Sequence, residues 1–166
     1  MKYFQAPLWE LFLVIDYIIG EINMSKNINT YAEITVEALK ELKKHHGSIT
    51  AQNVKDVWIN TAVKLGKSDS ITKKGCPKVA FLGILLSGKV KNINVDKYSL
   101  NARDIKNKNA VYGKEIIKLL QNKTFTVNDK SKIWNYICEN IIGKSIKHNG
   151  QVDVACAFYE NGYIIK

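Results

Sequence analysis

Apolar residues recur along this chain at spacings of three and four, and glycines close most of the stripes they form. That period belongs to amphipathic helices rather than strands. Leu8, Leu11, Phe12, Ile15 and Ile19 make the first stripe, closed by Gly20. It predicts a helix that packs on the body or on a partner. Met24 opens MSKNINTYAEI, which has the form of a natural start, so residues 1–23 read as an N-terminal helical extension or as the product of a mis-chosen start. Residues 24–166 read as a single helical domain. In the next stripe Thr30 is positioned to cap a helix with Glu33 three residues on, and Ala32, Val36, Leu39 and Leu42 mark its inner face. Lys43, Lys44, His45 and His46 then gather before Gly47, where a helix C-terminus favours positive charge. A third helix starts at Ser48 or Thr50 and turns Val54, Val57, Trp58, Ala62 and Leu65 inward.

Residues 73–90, KKGCPKVAFLGILLSGKV, are apolar almost without interruption after a basic approach. They predict a buried helix over residues 76–87. Pro77 fits its first turn, where a missing N–H costs nothing, and Gly88 suits the left-handed exit. After it, Val90, Ile93 and Val95 alternate with polar residues as a short strand or a loop, and residues 92–109 read as the longest exposed connection. Asn109 is placed to cap a helix in which Val111, Tyr112, Ile116, Leu119 and Leu120 are apolar. Asn128 or Asp129 starts another through Ile133, Trp134, Ile137 and Ile141, ending at Gly143, and Gln151–Glu160 is the last. The fold class is therefore all-α, a bundle of six to seven helices.

The halves echo one another. Gly88 and Gly162 end apolar helices 74 residues apart, and Trp58 and Trp134 lie 76 apart midway along the helices before them. At the first offset Lys73-Lys74 falls on Lys147-His148. The pattern suggests two pseudo-symmetric three-helix units, residues 30–91 and 110–166, that share one core.

Charge adds a direction. The 166 residues carry a net charge of +10, with 25 Lys+Arg against 15 Asp+Glu. Arg103 is the single arginine, which weakens sequence-specific base reading more than loose attraction to phosphates. Cys76, Cys138 and Cys156 are an odd number without metal-ligand spacing, which points to reduced thiols and a cytoplasmic setting, with no metal and no cofactor expected. Glu10 and Asp16 interrupt the first stripe, too early for a membrane span.

The run Lys73-Lys74-Gly75-Cys76-Pro77-Lys78-Val79-Ala80-Phe81-Leu82-Gly83 resembles the signature of a family of small uncharacterised bacterial proteins, a domain of unknown function. The resemblance extends to Asn107-Lys108, Tyr112, His148-Asn149, Gln151, Asp153-Val154 and Gly162, and covers about residues 31–166. Gly150 stands where the pattern leads one to expect a small polar residue, and Phe158-Tyr159 replaces an aliphatic-tryptophan pair. It implies domain extent and no activity.

Three function classes remain open. The first is a non-catalytic, sequence-independent binder of nucleic acid or another polyanion, through Lys73, Lys74, Lys78, Lys147 and His148 at two helix entrances. The second is a small enzyme with Cys76 as nucleophile and His148 and Asp153 as its orienting set. The third is a module that meets a protein partner through residues 8–19. A hydrolase with paired acids would have to draw on Asp96, Asp104, Asp153 and Glu160, which are scattered in sequence.

Overall fold

The computed structural model describes residues 29–165; the stripe at residues 8–19 lies outside them. In order, the elements are α1 (Thr30–Lys43), β1 (Ser48–Ile49), α2 (Ala51–Lys64), α3 (Asp69–Thr72), α4 (Gly75–Leu85), β2 (Asn94–Val95), a 3-10 turn (Lys97–Ser99), α5 (Ala102–Ile105), α6 (Lys108–Gln121), α7 (Lys130–Ile137) and α8 (Gln151–Glu160). A π-helical turn, Cys138–Ile142, extends α7. The chain is an all-α bundle, as the periodicity predicts, and its two strands form one minimal parallel pair, Ser48 with Asn94 and Ile49 with Val95.

Two helices begin at a different residue from the expected one. The side chain of Asn29, not Thr30, accepts the Tyr31 N–H and caps α1. Asn107, not Asn109, does the same for α6 by accepting the Asn109 N–H. Asparagine is as strong an N-cap as any residue, and in each case it stands one or two positions before the expected one. The inner face of α1 is accordingly Ile34, Thr35, Ala38, Leu39 and Leu42, while Ala32 and Val36 are half-buried. For α2 the reading holds: Thr50 caps it by accepting from Asn53 N, and Val54, Trp58 and Ala62 are buried.

Helix α4 is the centre of the molecule, packed against α2, α6 and α8. Its Phe81 ring lies 5.0 Å from the Trp58 ring and 5.3 Å from Phe158, which joins α2, α4 and α8 through three buried aromatics. The crossing of α4 with α6 is tight because glycine stands on both sides. A Cβ at Gly83 would fall 2.5 Å from Ala110 Cα, and one at Gly113 would fall 2.8 Å from the Ala80 carbonyl oxygen.

The connection over residues 92–109 is more ordered than an exposed loop. It contributes β2, the 3-10 turn and α5, and buries Asp104, whose carboxylate meets Lys55 at 2.6 Å. The Asp96 side chain accepts the Tyr98 N–H at 2.9 Å. These acids serve the fold.

The glycine exits of α4 and α8 meet. Gly88 and Gly162 both adopt positive φ, 72° and 67°, and Val90 then bridges Ile164 in antiparallel pairing. Lys91 N donates to Tyr163 O at 2.9 Å, and Ile165 N donates to Lys89 O at 2.8 Å. Exchange of the halves at the 74-residue offset turns one of these bonds into the other. The packing of α1 on α8 likewise corresponds to that of α6 on α4. The correspondence is incomplete, since α6 also packs along α8 and no comparable packing joins α1 to α4. Trp58 and Trp134 are both buried, but differently. The Trp58 indole N–H has no acceptor among the described residues, whereas that of Trp134 donates to Ile146 O at 2.6 Å.

Candidate anion-binding site at two helix entrances

The entrance of α4 is unusually open. Lys74 occupies its N-cap position, no side chain caps it, and no acid stands in its first turn. Pro77 brings no N–H to be satisfied, and nothing lies within 4 Å of where a Gly75 Cβ would be. The amides that begin this helix therefore lack a side-chain cap at the positive end of the helix dipole. Lys73 is exposed and paired with Asp69 of α3 at 2.6 Å, a contact that raises its pKa. Exposed pairs of this kind are weak and readily exchanged. Lys78 is half-buried on the first turn.

Tyr31 links this entrance to the second one. The Lys74 ammonium sits 5.8 Å from the Tyr31 ring centroid, within cation–π range. The same ring lies directly on Gly150, the residue before α8, where a Cβ would collide with it. Gly150 also adopts a φ of 92°, so the position suits glycine on two counts. The two entrances matched in sequence thus flank one tyrosine ring. Lys144, Lys147 and His148 are exposed on the segment that leads to Gly150.

The entrances differ in charge. Asp153 stands in the first turn of α8 with its side chain 5% exposed, bonded to Lys130 at 3.0 Å. Burial works against the Lys130 charge, but the hydrogen bond and attraction of Asp153 outweigh it and raise its pKa. His148 Nδ1 faces the other carboxylate oxygen at 3.9 Å. The positive end of α8 is already answered by a carboxylate of its own; that of α4 is not.

Polar residues noted with the sequence resemblance come together around α8. The Asn107 side chain accepts from Asn109, the Asn109 side chain accepts from Gln151 at 2.8 Å, and the Gln151 side chain accepts the Asn149 N–H at 2.6 Å. Trp134 is held between Tyr112, at 5.8 Å, and His148, at 6.0 Å. This network fixes the α8 entrance against the start of α6.

His148 and Asp153 are adjacent, as a thiol enzyme requires, but among the described residues no hydrogen bond joins Cys76 to either of them. Cys76 is half-buried at the other entrance. Burial pushes the Cys156 thiol up to about 12, which leaves it protonated and inert. Among the described residues no group of His, Cys, Asp and Glu is arranged to hold a metal. Neither of two surface hollows among the described residues is lined by Cys76, His148 or Asp153. One, of about 570 Å³, lies by Lys43, His45 and His46 at the end of α1. The other, of about 840 Å³, is apolar and lies at the ends of α6 and α8. No helix among the described residues is long and apolar enough to cross a membrane.

Sequence reasoning missed Tyr31 and Lys130 as parts of this region. Tyr31 stands 43 residues before Lys74 and 119 before Gly150, beyond any local spacing rule. Lys130 follows the cap of its helix, and only its contact with Asp153, 23 residues on, gives it meaning.

Comparison with the curated proteins found no match. Comparison with solved structures found none either. A model of a family of unknown function, DUF6979, matches residues 28–165. That match spans the whole described bundle with both entrances and begins after the leading stripe, and the chain therefore belongs to this family of unknown function.

Proposed function

We propose that this protein binds a phosphate-bearing polymer through the α4 entrance, without sequence preference, and performs no chemistry on it. The observation that carries the reading is an imbalance of pairing. Eight carboxylates are engaged by lysines, Lys73 among them, while Lys74, Lys78, Lys144 and Lys147, like several lysines elsewhere on the surface, form no ion pair among the described residues. Open helix amides beside unpaired lysines attract phosphate oxygens. Lysine on a flexible stem meets them as a point charge, without the planar fork that reads base edges.

Fluorescence anisotropy with labelled duplex DNA, single-stranded DNA and RNA of unrelated sequences tests this reading. Binding is expected to all three at about 50 mM salt, with little dependence on sequence. Reversal of Lys73 and Lys74 to Glu is expected to weaken it by about tenfold or more, because two phosphate contacts become repulsive. Affinity unchanged by the reversal removes the α4 entrance from consideration, and cleavage of a probe on addition of magnesium removes the non-catalytic part.

A further inference from the structure

The hollow of about 840 Å³ at the ends of α6 and α8 is lined by no residue of either helix entrance. Leu120, Phe125, Val127, Tyr159, Ile164 and Ile165 form its apolar floor, and Ile165 is 46% exposed and Tyr159 36%. The Gln121 side chain donates to Ile165 O at 2.8 Å and accepts from Lys89 Nζ at 2.8 Å, which ties the end of α6 to the Val90–Ile164 bridge. The volume suits a small molecule, and apolar surface gathered in one concave place marks a binding site.

Three charged residues stand in the lining: Lys91, Lys123 and Glu160. Lys123 holds a costly position. Helices α2, α6 and α8 close in the same way: the residue after the C-cap turns left-handed and donates to the carbonyl three residues back, and the next N–H reaches back five. After α2 and α8 that residue is glycine, Gly66 and Gly162, at φ 65° and 67°; after α6 it is Lys123, at 57°. A lysine there carries backbone strain that glycine avoids. Strain of this kind collects beside binding sites. Glu160 ends α8 one turn after Cys156, whose thiol faces the Val127 carbonyl oxygen, which places it on the Val127 side of the hollow. Lys91 follows Val90, on the side of the bridge.

We propose that this hollow binds a free long-chain carboxylate, with its alkyl chain on the apolar floor and its head at Lys123 and Lys91. The two lysines outnumber the one acid in the lining, and each ammonium meets a carboxylate as a point charge. Glu160 sets the direction of the ligand: it repels the head from the Val127 side, and the alkyl chain lies there instead, over Phe125 and Val127.

The test follows backbone amides of the full chain by NMR while laurate is added below its micelle concentration, with dodecyltrimethylammonium as the cationic probe of equal chain length. Saturable shifts are expected with laurate at Leu120, Phe125, Val127 and Ile165, at an affinity several-fold above that for the cation, and none at Gly75 or Gly150. Lys123→Gly is expected to weaken laurate binding by about two- to fivefold, while Tm stays the same or rises by up to about 4 °C. Glu160→Gln is expected to tighten it by about twofold. A lysine kept only for the helix dipole predicts the reverse for Lys123→Gly, a lower Tm with laurate affinity unchanged, and that result overturns the proposal. The absence of saturable shifts overturns it, as does equal affinity for the cation. Shifts that follow protein concentration rather than laurate overturn it by assigning the hollow to a second copy. A response to anionic vesicles without one to monomeric laurate assigns it to a membrane surface and overturns it as well.

Discussion

Single residues carry the arrangement at the entrances, and Gly150 is the most constrained of them. It combines a positive φ with direct contact from the Tyr31 ring. Gly150→Ala is expected to destabilise the protein by about 1–3 kcal/mol, from backbone strain and the displaced ring together. In a Tyr31→Ala background the same change should cost less, since one of the two causes is gone. Urea denaturation of the four variants measures the difference, and strict additivity contradicts the packing account. The thiols give a second expectation. Cys156 is buried with its pKa raised to about 12, and Cys138 is buried with its sulfur directed at Ile146 O, whereas Cys76 is half-buried. A neutral-pH thiol reagent should modify Cys76 first in the folded protein, with the other two reacting on unfolding. Mass mapping of the labelled peptides checks the order. Gly150 shows what sequence alone conceals at this scale: the residue that breaks the family-like pattern is explained by a ring 119 positions earlier.

At the scale of elements, most of the fold is legible in the sequence. The span of α8, the Thr50 cap, the buried α4 and the glycine exits follow from local rules of period, capping and φ. The start residues of α1 and α6 are not, because Asn29-Thr30 and Asn107-Asn109 each offer competing caps, and only the fold selects between them. The α4–α6 crossing is not legible at all, because Gly83 and Gly113 look like weak points within helices until the two are seen face to face. This sets up a contrast between two glycines of one helix. Gly83→Ala places a methyl against the Ala110 backbone and is expected to destabilise by about 1–3 kcal/mol despite the better helix propensity of alanine. Gly75→Ala opens onto free space and is expected to be neutral or to stabilise by up to about 1 kcal/mol. Thermal unfolding of the pair checks the sign of each. Equal effects of the two contradict the close crossing.

Over the whole molecule, symmetry and charge pull in different directions. The exits of the two halves are equivalent enough for Val90 and Ile164 to pair across a local two-fold, and we propose an internal duplication of residues 30–91 and 110–166 as its origin. The entrances have diverged: one keeps Asp153 in its first turn, and the other offers open amides beside Lys73 and Lys74. The sequence presents them as a matched pair, Lys73-Lys74 with Lys147-His148, because spacing does not reveal where a carboxylate near the start of a helix turns its oxygens.

The proposed anion site at α4 is most directly tested by the salt dependence of binding to duplex DNA. For the native protein, log affinity is expected to fall linearly with log salt, with a slope of about −0.9 for each phosphate neutralised. Reversal of Lys73 and Lys74 to Glu is expected to make that slope shallower by about 0.9 for each phosphate that is no longer neutralised, whatever the DNA sequence. A slope near zero in the native protein, or the same slope after the reversal, contradicts the account.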